Sequence, residues 1–185
     1  MWIMINKIFA SPIRKYHIDP TTEEGAYQID WAEREYEANK FDYPSPFTKK
    51  SAQVPELLSK PYEDICEGIL KELDIYDTHV ALITALGLCV LQKDESMDRC
   101  RTLPSHYTLT HYLQGNQSDI FYHPARDLLQ IVNPNLDEWI YAESLYINEG
   151  DVIIHPSYLE YSTPPVERER KTITCTIEIA KRPDL

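Results

Sequence analysis

The chain has no apolar run long enough to cross a bilayer: its longest, from Val80 to Leu91, is about half of what a spanning helix requires. Positive charge is also scarce. With 18 basic against 30 acidic residues and a net charge of −12, the composition argues against any broad attraction to nucleic acid or to an anionic membrane. The four cysteines, Cys66, Cys89, Cys100 and Cys175, lack the close spacing of a zinc finger. No segment has the layout of a secretion signal, because the charge in Met1 to Lys7 follows a short apolar stretch instead of preceding it. The cysteines therefore read as free thiols in a reducing compartment. There is no internal repeat and no low-complexity tract.

What remains is enough for one well-buried core in 185 residues that are 43% hydrophobic and include 13 tyrosines, so a single domain over residues 1–185 is expected. Ile3 to Ile18, broken by Pro12, reads as the first strand. Thr21-Thr22-Glu23-Glu24 carries a capping-box pattern, with Thr21 as the cap of an acidic surface helix that runs to about Ala38. Lys40 to Lys60, with Pro44, Pro46 and Pro55, reads as irregular. Behind Pro61, the apolar positions Ile65, Ile69, Leu73 and Tyr76 recur at helical spacing and predict an amphipathic helix starting at Tyr62.

The second part of the chain changes rhythm. Val80 to Leu91 is a buried run split at Gly87, Lys93 to Arg101 a charged loop, and Tyr107 to Leu113 a strand. Gly115 to Ser118 is a turn, Asp119 to His123 a strand, and Asn133-Pro134-Asn135 another turn. Gly150-Asp151 is a turn pair in which Asp151 has a turn-forming role, and Val152 to Ile154 is a short strand ended by Pro156. From Arg170 the alternation is strict: Thr172, Thr174, Thr176 and Glu178 share one face, and Ile173, Cys175, Ile177 and Ile179 the other, which predicts a half-buried strand with one polar face. A helical first third followed by many short strands predicts an α+β fold with a β-sandwich or jelly-roll core, residues 1–78 packing as strand plus helices on a core formed by 79–185.

The run Gly150-Asp151-Val152-Ile153-Ile154-His155-Pro156-Ser157-Tyr158-Leu159-Glu160-Tyr161, followed by Arg170-Lys171-Thr172, resembles a pattern of 2-oxoglutarate/Fe(II)-dependent oxygenases, G-D-(apolar)-F-P-S-W-L-x-H and then R-x-S. The short members of that family common in phage genomes are the ones it resembles. Lys7 to Ile13 is similar to their opening L-F-P-T-P-I, Tyr107 to Leu113 falls where they have L-S-G-V-Y-Y-L, and Phe121 to Arg126 where they have F-x-D-P-R. The resemblance implies a double-stranded β-helix of the cupin type, with Fe(II) and 2-oxoglutarate as the cofactors of an active member.

It also implies where ligands would stand. Such enzymes hold iron with two histidines and one carboxylate. The distal histidine falls on Tyr161, a phenol with a pKa near ten that suits ferric more than ferrous iron. The proximal pair falls near Cys100 to Thr102, or at His106, where two ligands are missing. His79, His106, His111, His123 and His155 have no acid two residues on; His17-Ile18-Asp19 does, but lies in the N-terminal strand, and chance in so acidic a chain explains it as well. An atypical metal set from His106, His111 and His155 stands against a tyrosine-rich interior in which histidines serve as hydrogen-bond partners. Arg170 and Thr172 match the residues that receive the far carboxylate of 2-oxoglutarate, against a reading of Val166 to Lys171 as a solvated charged loop. Tyr107, Tyr112, Tyr122, Tyr158 and Tyr161 pack at barrel ends or serve a protein interface.

Together these imply a non-catalytic, phage-encoded protein with a degenerate iron site, placed in the host cytoplasm or virion and acting through protein partners, as a virion component or by self-association. The alternative is an active 2-oxoglutarate/Fe(II) hydroxylase with an atypical metal site.

Overall fold

The computed structural model describes residues 13–43, 45–48, 56–102, 104–122 and 142–183. Two helices and nine strands occur among them: β1 (Arg14–His17), α1 (Glu23–Asn39), α2 (Glu56–Glu72), β2 (His79–Leu91), β3 (Met97–Cys100), β4 (Tyr107–Gln114), β5 (Gln117–Tyr122), β6 (Ala142–Ile147), β7 (Asp151–Pro156), β8 (Glu160–Thr163) and β9 (Arg170–Lys181). The strands form two antiparallel sheets, one in the order β1-β7-β4-β9-β2 and the other β3-β8-β5-β6.

Register decides which side chains meet. Because strand side chains alternate between faces, Leu109, His111, Ile173 and Cys175 point to one side of the larger sheet, where they join Trp31 and Ala32 of α1 and Tyr62, Cys66 and Ile69 of α2 in an apolar core. Thr108, Thr110, Tyr112, Thr174 and Thr176 point to the other, into the space between the sheets, where Tyr112 and Ile153 pack against Phe121 and Tyr161. Both faces of β9 are therefore covered. Thr172 and Thr176 are buried and Thr174 partly so, so this stretch of the polar face lines the interior, while Glu178 at its far end is exposed as expected.

Several boundaries differ from expectation for local reasons. Thr22, not Thr21, caps α1 by accepting the Gly25 amide at 3.1 Å, because Asp19 already takes both the amide and the hydroxyl of Thr21. α1 is also not purely a surface helix, since Trp31, Ala32 and Gln28 are buried. α2 begins six residues before Tyr62, inside the segment expected to be irregular, and carries Pro61 within it. It ends at Glu72, short of Leu73 and Tyr76, just before Asp74 adopts a left-handed φ of 57°. β2 is continuous through Gly87, which pairs with Thr174; its irregularity is a bulge between Ile83 and Ala85. The expected loop of Lys93 to Arg101 contains β3, an edge strand held by β8, and β5 starts within the expected turn, at Gln117. The segment before Ile13, the histidine at 123 and the Asn133-Pro134-Asn135 turn lie outside the described residues.

Candidate functional site

Between the sheets, near the start of β9, a cluster of polar side chains is closed off from water. Arg170 and Asp119 are 2% and 1% exposed, and they meet as a bidentate pair: Nη1 donates to Oδ1 at 2.9 Å and Nη2 to Oδ2 at 2.8 Å. The Tyr112 hydroxyl donates to Oδ2 at 2.6 Å, and the Thr163 hydroxyl to Oδ1 at 2.8 Å. The four residues come from β9, β5, β4 and β8, so the cluster ties the two sheets together.

Several features hold Arg170 in place. Its guanidinium lies 4.6 Å from the centre of the Tyr112 ring, a cation–π arrangement. Gly115, with φ 91°, passes so close that an added Cβ would lie 3.1 Å from both the Arg170 Cα and Cβ. Burial is the largest single influence and opposes the charged guanidinium, but Asp119, Tyr112 and Cys89 together raise the arginine pKa. Burial, and then Asp119, pushes the Tyr112 phenol well above its usual range, so it remains a proton donor to the carboxylate. A cavity of about 30 Å³ adjoins this cluster.

A second arrangement lies where β3 meets β8. Cys100 and Tyr161 are register partners, which sets the thiol and the phenol side by side. Burial raises both pKa values, so both stay neutral. Tyr161 stacks on Phe121 with ring centres 5.9 Å apart, and His155 meets both rings edge-on at 5.2 and 5.5 Å. A cleft of about 290 Å³, lined in part by Phe47, Met97, Cys100, Thr102 and Tyr161, opens beside this group.

Not all the residues singled out in the sequence meet here. Arg170 and Thr172 both line the small cavity, but the carboxylate facing Arg170 belongs to Asp119. His106, His111 and His155 do not converge. His155 faces the space between the sheets, with Nδ1 2.9 Å from the Pro156 carbonyl; His111 faces the helices, with Nδ1 2.8 Å from the Tyr62 hydroxyl; and His106 Nδ1 accepts the Ile179 amide at 3.2 Å. Strand alternation puts His111 and His155 on opposite sides of one sheet, which no rotamer change can undo. Burial lowers the pKa of each to about 4, leaving neutral rings at pH 7. His17 pairs with Asp151 at 3.3 Å while Asp19 is engaged by Thr21, so His17-Ile18-Asp19 does not act as a unit. Asp151 Oδ2 accepts the Asn148 amide at 2.6 Å, fixing the turn at Gly150. Among the described residues, no three His, Cys, Asp or Glu side chains are grouped so that they could share a metal ion. Nor is any described helix long and apolar enough to cross a membrane.

Asp119, Tyr112 and Thr163 were missed as a set. A signal for the first existed: Asp119 alternates with Phe121 in a short strand and so shares its inward face.

No family model matches the chain, and no curated protein matches it. Solved structures do. A 2OG-Fe(II) oxygenase family oxidoreductase from Burkholderia pseudomallei superposes with a TM-score of 0.52 at 10% identity, over 95% of this chain and 87% of that one. The chain has the fold of 2OG-Fe(II) oxygenases. AviO1 from Streptomyces viridochromogenes matches this oxygenase-like fold at a TM-score of 0.61 and 11% identity, over 96% and 94% of the two chains. The viral collagen prolyl hydroxylase of Paramecium Bursaria Chlorella virus-1, solved as a 2OG complex, matches at 0.58 and 11%, over 89% and 94%.

Proposed function

We propose that this protein is a non-catalytic chain on the 2OG-Fe(II) oxygenase scaffold and works through contacts with other proteins. The observation that carries this reading is the Cys100–Tyr161 pair. In the sequence pattern the distal iron ligand falls on Tyr161 and the proximal pair near Cys100 to Thr102 or at His106, and here a neutral phenol at 161 and a neutral thiol at 100 stand opposite each other across the β3–β8 pairing. Ferrous iron calls for imidazole and carboxylate donors, so this donor set does not fit it. 2-Oxoglutarate fits no better, since the side chain matched to its receptor, Arg170, with Thr172 nearby, is already engaged by Asp119. The barrel reads as a double-stranded β-helix, because β2, β4, β7 and β9 fall in one sheet and β3, β5, β6 and β8 in the other.

Support for protein contacts comes from the surface. Tyr43, Phe47, Leu82, Tyr146 and Tyr158 are large side chains that are 46–62% exposed, and a net charge of −12 favours a basic partner. A phage origin, and service in a virion or in the host cytoplasm, rest on the likeness of Gly150 to Tyr161 to the short phage proteins. The rival reading, a hydroxylase using His106, His111 and His155, has no geometric support, since two of the three lie on opposite faces of a sheet. Isothermal titration of the purified chain with Mn(II) and 2-oxoglutarate tests the proposal. No stoichiometric binding is expected; binding of the metal that disappears in His155→Ala or His111→Ala overturns it.

A further inference from the structure

An ionised carboxylate offers roughly four lone-pair positions. At Asp119 four donors take them: two guanidinium N–H groups of Arg170 and the hydroxyls of Tyr112 and Thr163, at 2.6–2.9 Å. Three of the four residues involved are donors, and each of the three lies on a strand other than that of Asp119. Arg170 starts β9 and is braced by the Tyr112 ring and by Gly115; Tyr112 lies in β4 and Thr163 in β8. The adjoining cavity of about 30 Å³ has room for about one water, so the fit around the carboxylate is tight.

We infer that Arg170, Tyr112 and Thr163 form a receptor for a small carboxylate, and that this protein fills it with its own Asp119 side chain. The barrel interior therefore carries an internal ligand, which excludes free carboxylates for as long as Asp119 is present. The inference does not rest on the fate of the metal position, since it concerns other residues.

Matched deletions test it. Asp119→Ala removes the carboxylate and leaves a space for formate; Asp119→Gly removes the methylene as well and leaves a space for acetate. In thermal unfolding with EDTA present, formate is expected to raise the Tm of Asp119→Ala, and acetate that of Asp119→Gly, by about 3–6 °C at ten times Kd. Sodium chloride at equal ionic strength should not do so. Wild type, and the double variant Asp119→Ala/Arg170→Met, should ignore both carboxylates. If Asp119→Ala does not fold in chloride, its refolding from urea in formate, read by circular dichroism, replaces the melting curve. A single variant that folds and ignores its matched carboxylate overturns the inference, as does one that stays unfolded in formate, or rescue that persists without Arg170. Because EDTA removes metal throughout, none of these outcomes is confused with metal binding by wild type.

Discussion

The two sides of the five-stranded sheet are buried by different means. On the helix side, Leu109, Val152, Ile154, Ile173 and Cys175 meet Trp31, Tyr62, Cys66 and Ile69, and the polar contact there is the His111–Tyr62 hydrogen bond. Facing the smaller sheet, Thr108, Thr110, Tyr112, His155, Arg170, Thr172 and Thr176 are all buried, and the charges meet in one pair. An apolar core holds a fold by area and shape and tolerates volume-conserving exchange. A buried polar core has to be satisfied atom by atom, because each orphaned group pays for its desolvation. The oxygenase-like fold thus joins a general-purpose core to one whose chemistry is specific.

Removing one partner of the buried pair should give the largest effect. Arg170→Met leaves the Asp119 carboxyl buried without its cation, and a loss of about 3–5 kcal/mol is expected in urea unfolding. Leu109→Ala, on the apolar side, should cost about 2–5 kcal/mol with no dependence on the identity of the salt. If Arg170→Met costs less than 1 kcal/mol, the contrast between the two faces fails.

Acid separates the faces less sharply, because each contains one buried histidine. His111 and His155 titrate at about 4 in the folded chain, below the ordinary 6.5. The unfolded chain therefore takes up protons first. The contribution of these two histidines to stability should be flat above pH 6.5, fall as pH drops toward 4 and level off below it, by up to about 3 kcal/mol per histidine. Replacing either histidine by Gln should flatten the profile measured by urea unfolding across pH 4–8; a slope unchanged in both variants would assign acid sensitivity elsewhere.

The smallest of these effects is expected for Tyr112→Phe. It keeps the ring under the guanidinium but removes the donor to Asp119 Oδ2, and should cost about 1–3 kcal/mol. A neutral result would mean that water takes over this position without loss.

How much of this was legible in the sequence follows from the range of the interactions. Alternation from Arg170 onward located β9, and apolar spacing at Ile65 and Ile69 located α2, because both signals repeat within one element. The motif likeness pointed to the 2OG-Fe(II) oxygenase fold, and solved structures share that fold with this chain. What stayed hidden depends on pairing across the chain. Asp119 and Arg170 are 51 residues apart, and nothing local shows that an acid near one turn will meet a base after another. His111 and His155 looked like neighbours, as indeed they are in adjacent strands, but the register that sends them to opposite faces is set by β4 and β7 together. β3 and β8, four residues each, were too short to show a period; β3 becomes a strand by pairing with β8, and β8 by pairing with β3 and β5.

The position of Arg170 at the first residue of β9 has one more effect, on how the sheets align. A slip of β9 by a single residue along β4 would turn every side chain to the opposite face. It would drive the guanidinium into the layer beneath the helices, away from the only acid poised to receive it among the described residues of the cluster. The charge pair thus acts as a latch on alignment, making the neighbouring misfolded register far more costly than a purely apolar strand end would.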